Sequence, residues 1–226
     1  MEIPLFPLPN LVLFPHVLVP LHIFEERYKS MIKSCIDRDE VFGIVLLRSG
    51  ADTESEDTIH RVGVTARIVQ AERLENDRMN ILAEGEGRFR IRRFTQHEPY
   101  WKGSVEFFED DESHSAAESL YNQVSELYRK VAELGAKVSS SEEQQAVPAE
   151  SPTDLSYMVS YVLDIDSEAK QKLLEMTLTA ERLRALIPYL NETITRLEQQ
   201  LALKEVIHKV RGNGDLGKPG SSGTEV

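Results

Sequence analysis

The stretch IHRVGVTARIVQAE at residues 59–72, followed by RMNILAE at 78–84 and RFRIRRF at 88–94, decides the class of the fold. Apolar residues alternate with arginine, glycine and threonine in the first segment, and with arginine in the third. A repeat of two residues is typical of strands with one buried face. The polar sequence Glu-Asn-Asp at 75–77 lies between the first two segments and is a turn signal. The stretch therefore predicts three consecutive strands.

The flanking residues extend this pattern into a small mixed barrel. A nearly all-apolar strand is predicted at 41–47, a closing strand at 101–108, and a short one at 17–23. Half of the ten prolines lie in the first 20 residues, which predicts only short or edge strands there, because proline donates no ladder hydrogen bond. Apolar residues at helical spacing predict one helix over 24–36.

The acidic run at 109–112 marks a change to helical patterns. Apolar stripes predict one helix around 120–134, two shorter ones at 155–163 and 169–176, and a long one that begins at Thr177 or Thr179 and ends at Gly212. The long helix carries a heptad repeat, with a kink or break expected at Pro188. We thus expect an α+β chain with a β-barrel subdomain at 1–112 and a helical subdomain at 113–211. Residues 139–153 are predicted to be a flexible linker and 212–226 a disordered tail.

Charge and composition exclude several classes of function. There are 26 Lys and Arg against 38 Asp and Glu, a formal charge of −12, so binding to nucleic acid or to an anionic membrane is not expected. The N-terminus lacks a basic segment, and no stretch of about 18 apolar residues is uninterrupted. With one cysteine, Cys35, no intramolecular disulfide forms. A cytoplasmic protein is expected.

No motif for catalysis or for a cofactor is predicted. Cys35 lies on the apolar face of its helix, where cysteines are usually inert. The G-x-S-x-G and H-E-x-x-H signatures are absent. Residues 212–218 match the first seven positions of a phosphate-binding loop, but Pro219 replaces the required Ser or Thr. We expect no catalytic residue, no cofactor and no metal.

Two groups of residues are candidates for binding another molecule. Apolar residues between the N-terminal prolines, with Phe6, Leu11 and Phe14 as candidate contacts, either fill the barrel or present an apolar groove to an extended ligand. The second group is the arginine stripe, which consists of Arg88, Arg90 and Arg92. One interpretation is that the stripe binds phosphate or an acidic peptide. The other is that it forms a solvated strand face whose arginines pair with Glu84, Glu86 or Glu106. The second interpretation of the stripe is favoured.

Several segments together resemble one family. IPLFPLP from Ile3 and LFPHVLVPL from Leu13 resemble the opening of the N-terminal substrate-recognition domain of Lon proteases. GVTARI from Gly63 and ILAEGEGRFRI from Ile81 resemble its central strands, and LLEMTLTAERL from Leu173 resembles the start of its last long helix. PLHIFEERY from Pro20 is more similar to small standalone bacterial Lon-domain proteins.

The resemblance implies a PUA-like pseudobarrel with one helix, followed by a helical bundle that ends in a long helix. It implies recognition without proteolysis, because the sequence contains neither the ATPase motif nor the Ser-Lys dyad of full Lon proteases. The expected function is non-catalytic binding of unfolded or exposed apolar protein segments. The alternatives are a ligand- or RNA-binding PUA-like module and, less favoured, a free-standing hydrolase. A full Lon-type protease is a candidate partner, and the heptad repeat leaves a homodimer through the long helix open.

Overall fold

A computed structural model describes residues 1–50, 53–111, 117–139 and 149–213, with side chains of the last helix up to Val206. These residues form six strands and five α-helices, a mixed α+β fold. The strands are β1 Glu2–Leu8, β2 Leu18–Ile23, β3 Phe42–Leu47, β4 Ile59–Arg73, β5 Met79–Gln96 and β6 Lys102–Phe107. The helices are α1 Glu26–Arg38, α2 Ala117–Ser139, α3 Pro152–Val162, α4 Ser167–Glu175 and α5 Thr179–Asn213.

Five of the strands close into a barrel. The sheet order is β2-β5-β4-β3-β1-β6, and β6 also pairs with the second half of β5, so that β5-β4-β3-β1-β6 form a ring with β2 outside it. The Phe89 ring fills the interior so tightly that a Cβ on Gly63 or Gly43 would lie 2.9 Å or 2.6 Å from its Cζ atom. The predicted barrel followed by helices that end in a long one is confirmed.

The segments 78–84 and 88–94 belong to one 18-residue strand, β5, rather than to two strands. The strand changes partner at Gly85, because its first half pairs with β2 and its second half with β6. The loop between β1 and β2 crosses β5 at this glycine, where a Cβ would lie 2.2 Å from the Phe14 carbonyl oxygen. Gly85 therefore allows a close crossing, and the chain continues through it as one strand.

The prolines of β1 occupy a strand that has neighbours on both sides. Residues 2–4 pair with β6 and residues 5–8 pair with β3, so each half of β1 has registered partners on one side only. Pro4 and Pro7 are tolerated because each half behaves locally as an edge. The expectation of short or edge strands applies more directly to β2, which contains Pro20 and pairs with β5 alone.

Side-chain caps and apolar packing define the helical part. The Ser151 hydroxyl accepts from the Asp154 amide at the start of α3, and the Asp166 carboxylate accepts from the Ala169 amide at the start of α4. Helix α5 continues through Pro188, which is exposed, so water can reach the carbonyl group that proline leaves without a partner. It extends to Asn213, one residue past the predicted end.

Helices α2 and α5 lie side by side and run in the same direction. Lys130 is 2.8 Å from Glu198, and the Lys204 ammonium donates to the Val138 carbonyl. The contacts of α5 with its own chain therefore continue as far as Lys204, but Leu203 and Val206 remain exposed. A homodimer through this helix stays a prediction.

Most residues of the predicted linker, 140–148, and the tail from residue 214 lie outside the described residues. In the part of the chain that the structure describes, every helix is too short or too polar to cross a bilayer.

Candidate functional site

The structure buries two of the three N-terminal binding candidates. Phe6 is 6% exposed and its ring centroid lies 4.1 Å from that of Tyr28 on α1, outside the barrel ring. Phe14 is fully buried and packs on Tyr157 of α3. Leu11 is partly buried against the same core. The predicted surface contacts at Phe6 and Phe14 are corrected, because these side chains attach helices to the sheet and form no groove.

The sequence offered filling of the barrel as the other interpretation of this segment. Ile3 and Leu5 have this role, because they belong to the apolar cluster inside the ring. Their neighbour Phe6 points to the opposite side of the strand, as alternation along β1 requires. Filling of the barrel therefore describes Ile3 and Leu5, whereas neither interpretation describes Phe6, which packs on α1.

The arginine stripe separates into one buried residue and two exposed ones. Arg88 is 2% exposed and donates to Asp110 and to the carbonyls of Leu174 and Met176, at 2.9 Å and 2.5 Å. Arg92 is paired with Glu106, as the favoured interpretation expected. Arg88 is thus unavailable to a phosphate or an acidic peptide and is not part of a solvated face, so both interpretations of the stripe are wrong for this residue.

Arg88 belongs to a buried network that connects the barrel to the helices. Asp110 also accepts from Arg182 of α5, and from the Thr179 hydroxyl at 2.7 Å. Burial alone raises the pKa of Asp110, but the bonds and charges of Arg182, Thr179 and Arg88 outweigh burial and hold the pKa below its usual value. This network joins the barrel to the helices, and because its three charged side chains are buried, none of them is available to a ligand.

A large cleft lies at one end of the barrel, and we call it the Trp101 cleft. Its volume is about 980 Å³ and it is open to solvent. The residues that line it are Pro9, Arg27, Leu47, Thr53, Glu54, Ser55, Glu56, His97, Glu98, Pro99 and Trp101. The β1–β2 loop, α1, the β3–β4 loop and the β5–β6 loop all contribute, so the fold has brought together segments that are distant in sequence.

Glu54 fixes one wall of the Trp101 cleft. Its carboxylate accepts from Arg27 Nη1 and Nη2 at 2.9 Å and 2.6 Å, from the Tyr28 hydroxyl at 3.0 Å, and from Trp101 Nε1 at 2.8 Å. Burial together with the Glu54 charge raises the pKa of Tyr28, so this hydroxyl stays a donor. The four bonds hold the β3–β4 loop against the barrel and make this wall rigid.

The adjoining part of the cleft is built on Trp101 and His97. The Trp101 ring packs edge-on against Phe94 at 5.1 Å inside the barrel, and the His97 ring covers it at 4.4 Å on the outer side. His97 Nε2 lies 3.3 Å from Glu56, whose other oxygen is 3.8 Å from Arg61. The cleft thus combines apolar and aromatic surface with carboxylates at its rim.

The sequence contains no strong signal for this site. The sequence of residues 49–58, SGADTESEDT, indicates only a polar loop, and nothing marks Glu54 among its acidic neighbours. Trp101 is the one tryptophan of the chain, which is the only available hint. Glu54 accepts from Arg27, Tyr28 and Trp101, which are distant from it in sequence, so its role can be recognised only in the folded barrel.

The one thiol and the potential metal ligands of the described residues were candidates for reactive chemistry. Burial raises the pKa of the Cys35 thiol to about 11, which keeps it protonated. No group of three or more potential ligands lies close enough to hold a metal ion in the ranges that the structure describes.

The barrel and the helices packed on it define a domain of α+β class. Residues 2–192 match the family described as the substrate-binding domain of ATP-dependent protease La (Lon), and the chain belongs to this family. The predicted resemblance is therefore confirmed.

Two relatives illustrate the family membership. The chain is 30% identical over 212 residues to Lon protease 2 of Herpetosiphon aurantiacus and 27% over 208 residues to Lon protease 1 of Syntrophobacter fumaroxidans. These matches cover 92% and 91% of this chain but 26% of each relative, so the chain spans about a quarter of their length.

The fold itself is shared with Lon N-terminal domains. A Lon N-terminal domain protein from Xanthomonas campestris superimposes with a TM-score of 0.61 at 20% identity, covering 83% of this chain and 98% of that one. The N-terminal domain of the Mycobacterium avium complex Lon protease gives a TM-score of 0.64 at 18% identity, with 84% and 98% coverage.

Proposed function

We propose that this chain is a non-catalytic protein-recognition module, and that it binds unfolded or exposed apolar segments of other proteins in the Trp101 cleft. The observation that carries the proposal is the cleft itself, which is concave, open to solvent and has a volume of about 980 Å³. That volume lies at the upper end of small-molecule sites, and an open shape of this size suits a stretch of polypeptide. A full Lon-type protease is a second partner in this proposal.

Membership of the Lon substrate-binding family supports a protein as the bound molecule. The cleft offers the two elements that peptide recognition needs, which are apolar side chains for contact area and polar groups that fix orientation. Its walls are held by bonds within the chain, so little ordering is required when a segment binds. The RNA-binding alternative has less support, because Arg88 is buried and Arg92 is paired, which leaves Arg90 as the remaining exposed member of the stripe.

The test is the fluorescence anisotropy of a labelled, permanently unfolded protein that lacks tryptophan, titrated with this chain without ATP. Saturable binding with an intact label on a gel is expected. Trp101 emission should change over the same concentrations, since the cleft holds the chain's single tryptophan. No saturable rise would overturn the proposal, and a cleaved label, with contaminating protease excluded, would contradict a non-catalytic module.

A matched pair of variants locates the site. Pro9→Asn with His97→Asn removes apolar and aromatic surface from the cleft, and about tenfold weaker binding is expected from the loss of roughly 1.4 kcal/mol of contact. Pro20→Asn with His22→Asn makes the same two changes on the exposed edge strand β2 and should leave the affinity unchanged. Equal affinity for both variants would place the site elsewhere.

A further inference from the structure

We propose that the Trp101 cleft selects cationic segments, that is, extended stretches in which Lys or Arg stands beside an apolar residue. This inference rests on the proposed function and names the chemistry of the ligand for the same cleft. It follows from which charges inside the cleft are compensated within the chain and which face the solvent.

The charges on the inner wall compensate each other. The Arg27 guanidinium forms two bonds to Glu54, and a third at 3.0 Å to the Glu25 carboxylate. Glu54 has no capacity left, because Tyr28 and Trp101 take up its remaining positions. Neither Arg27 nor Glu54 can therefore change partners without breaking the wall, and this wall gives the ligand shape but no charge preference.

The rim carries carboxylates that are only loosely held. Glu56 is about half exposed, and its contacts to His97 and Arg61 are 3.3 Å and 3.8 Å, with Arg61 itself 41% exposed. Glu98 is exposed and lies beside His97 in sequence. A cationic side chain placed between Glu56 and Glu98 would meet two carboxylates, whereas an acidic one would meet like charges.

The rest of the cleft favours an apolar neighbour for that cation. Pro9, Leu47 and Pro99 line the same cleft as the two carboxylates. The aliphatic stem of Lys or Arg can also lie along such surface while its charged end reaches the rim. The formal charge of −12 adds a long-range field that attracts cationic segments and speeds their encounter.

The test uses three capped decapeptides that contain no tryptophan, in which leucine alternates with lysine, glutamine or glutamate. Binding is followed by Trp101 emission and checked by calorimetry. The lysine peptide should bind about tenfold more tightly than the glutamine peptide at low salt, and the glutamate peptide should bind most weakly. The lysine preference should fall as ionic strength rises, because exposed charges are screened.

Two double variants locate the preference. Glu56→Gln with Glu98→Gln should bring the affinities of the lysine and glutamine peptides to within about twofold, because the two carboxylates that attract the lysine side chain are removed. The matched control, Glu72→Gln with Glu192→Gln, removes the same charge from exposed positions outside the cleft and should keep the preference. Circular dichroism would check that all variants are folded.

Each outcome separates this inference from the proposed function. Equal binding of all three peptides would overturn the cationic preference and leave the cleft as a peptide site. A lysine preference that survives Glu56→Gln with Glu98→Gln would overturn its assignment to the rim. Failure of every peptide and of the unfolded protein would overturn the proposed function itself.

Discussion

Trp101 donates its indole N–H to Glu54 at 2.8 Å, across 47 residues of sequence. The bond ties the segment after β5 to the β3–β4 loop, and the bidentate Arg27 contact extends it to α1. A single carboxylate thus connects three elements that the sheet alone would leave independent. The shape of the Trp101 cleft depends on this side chain.

Glu54→Gln should lower the free energy of unfolding by about 1–3 kcal/mol. The reason is that the partly buried N–H and O–H groups of Arg27, Tyr28 and Trp101 lose a charged acceptor. The variant should also shift Trp101 emission to longer wavelength as the indole loses its partner. Urea unfolding followed by tryptophan fluorescence measures both effects.

The control for this variant is Glu26→Gln, at a side chain that is 90% exposed and pairs only with Lys29. Its stability should remain within about 0.5 kcal/mol of the wild type. Similar losses for the two variants would show that Glu54 does not organise the cleft.

The sequence predicts the parts of this fold that depend on local periodicity. Alternation along 59–72 and the apolar run at 41–47 became β4 and β3, and helical spacing located α1 within two residues. The errors arise where distant segments meet. The sequence divides β5 into two strands at residues 85–87, where the crossing loop requires Gly85, and Phe6 is predicted as a surface contact although α1 covers it.

The candidate site was less accessible to sequence reasoning, for the same physical reason. Arg88 is periodic with Arg90 and Arg92, yet it is buried because Asp110 and Arg182 lie beside it in the fold. Long-range charge pairing has no local pattern along the chain. The Trp101 cleft likewise consists of loops, whose residues follow no period.

Asp110→Asn should destabilise the fold by about 3–5 kcal/mol. The variant leaves Arg88 and Arg182, both fully buried at the side chain, without a counter-charge. Chemical denaturation at pH 7 gives the free energy of unfolding.

The comparison for Asp110→Asn is Arg92→Gln. This variant breaks the ion pair between Arg92 and Glu106, whose side chains are 58% and 56% exposed respectively. It should change the free energy of unfolding by no more than about 1 kcal/mol. A loss below about 1 kcal/mol for Asp110→Asn would mean that water or rearrangement compensates the two arginines.

Gly63→Ala should be strongly destabilising, because its Cβ would lie 2.3 Å from the Ile44 carbonyl oxygen and 2.9 Å from Phe89 Cζ. Gly135→Ala, in α2, is the opposite case, since nothing lies within 4 Å of the new Cβ. It should raise stability by about 0.5–1 kcal/mol through helix propensity. Thermal unfolding should show a lower melting temperature for Gly63→Ala and a higher one for Gly135→Ala. A Gly63→Ala protein as stable as the wild type would contradict the packing of the barrel interior.

The lowered pKa of Asp110 predicts how stability depends on pH. In the folded protein this carboxyl binds its proton more weakly than in the unfolded chain, where the pKa is near 3.8. Its contribution is therefore complete above the unfolded pKa and is lost as the pH falls through the folded pKa.

The wild type should thus lose more stability than Asp110→Asn between pH 7 and pH 3, measured by urea unfolding at each pH. Glu168, whose pKa is lowered by the Ser49 amide and by His60, contributes equally to both proteins and cancels in the comparison. Parallel curves for the two proteins would show that Asp110 titrates normally in the folded state. The buried arginines would then stabilise its charge no better than water does.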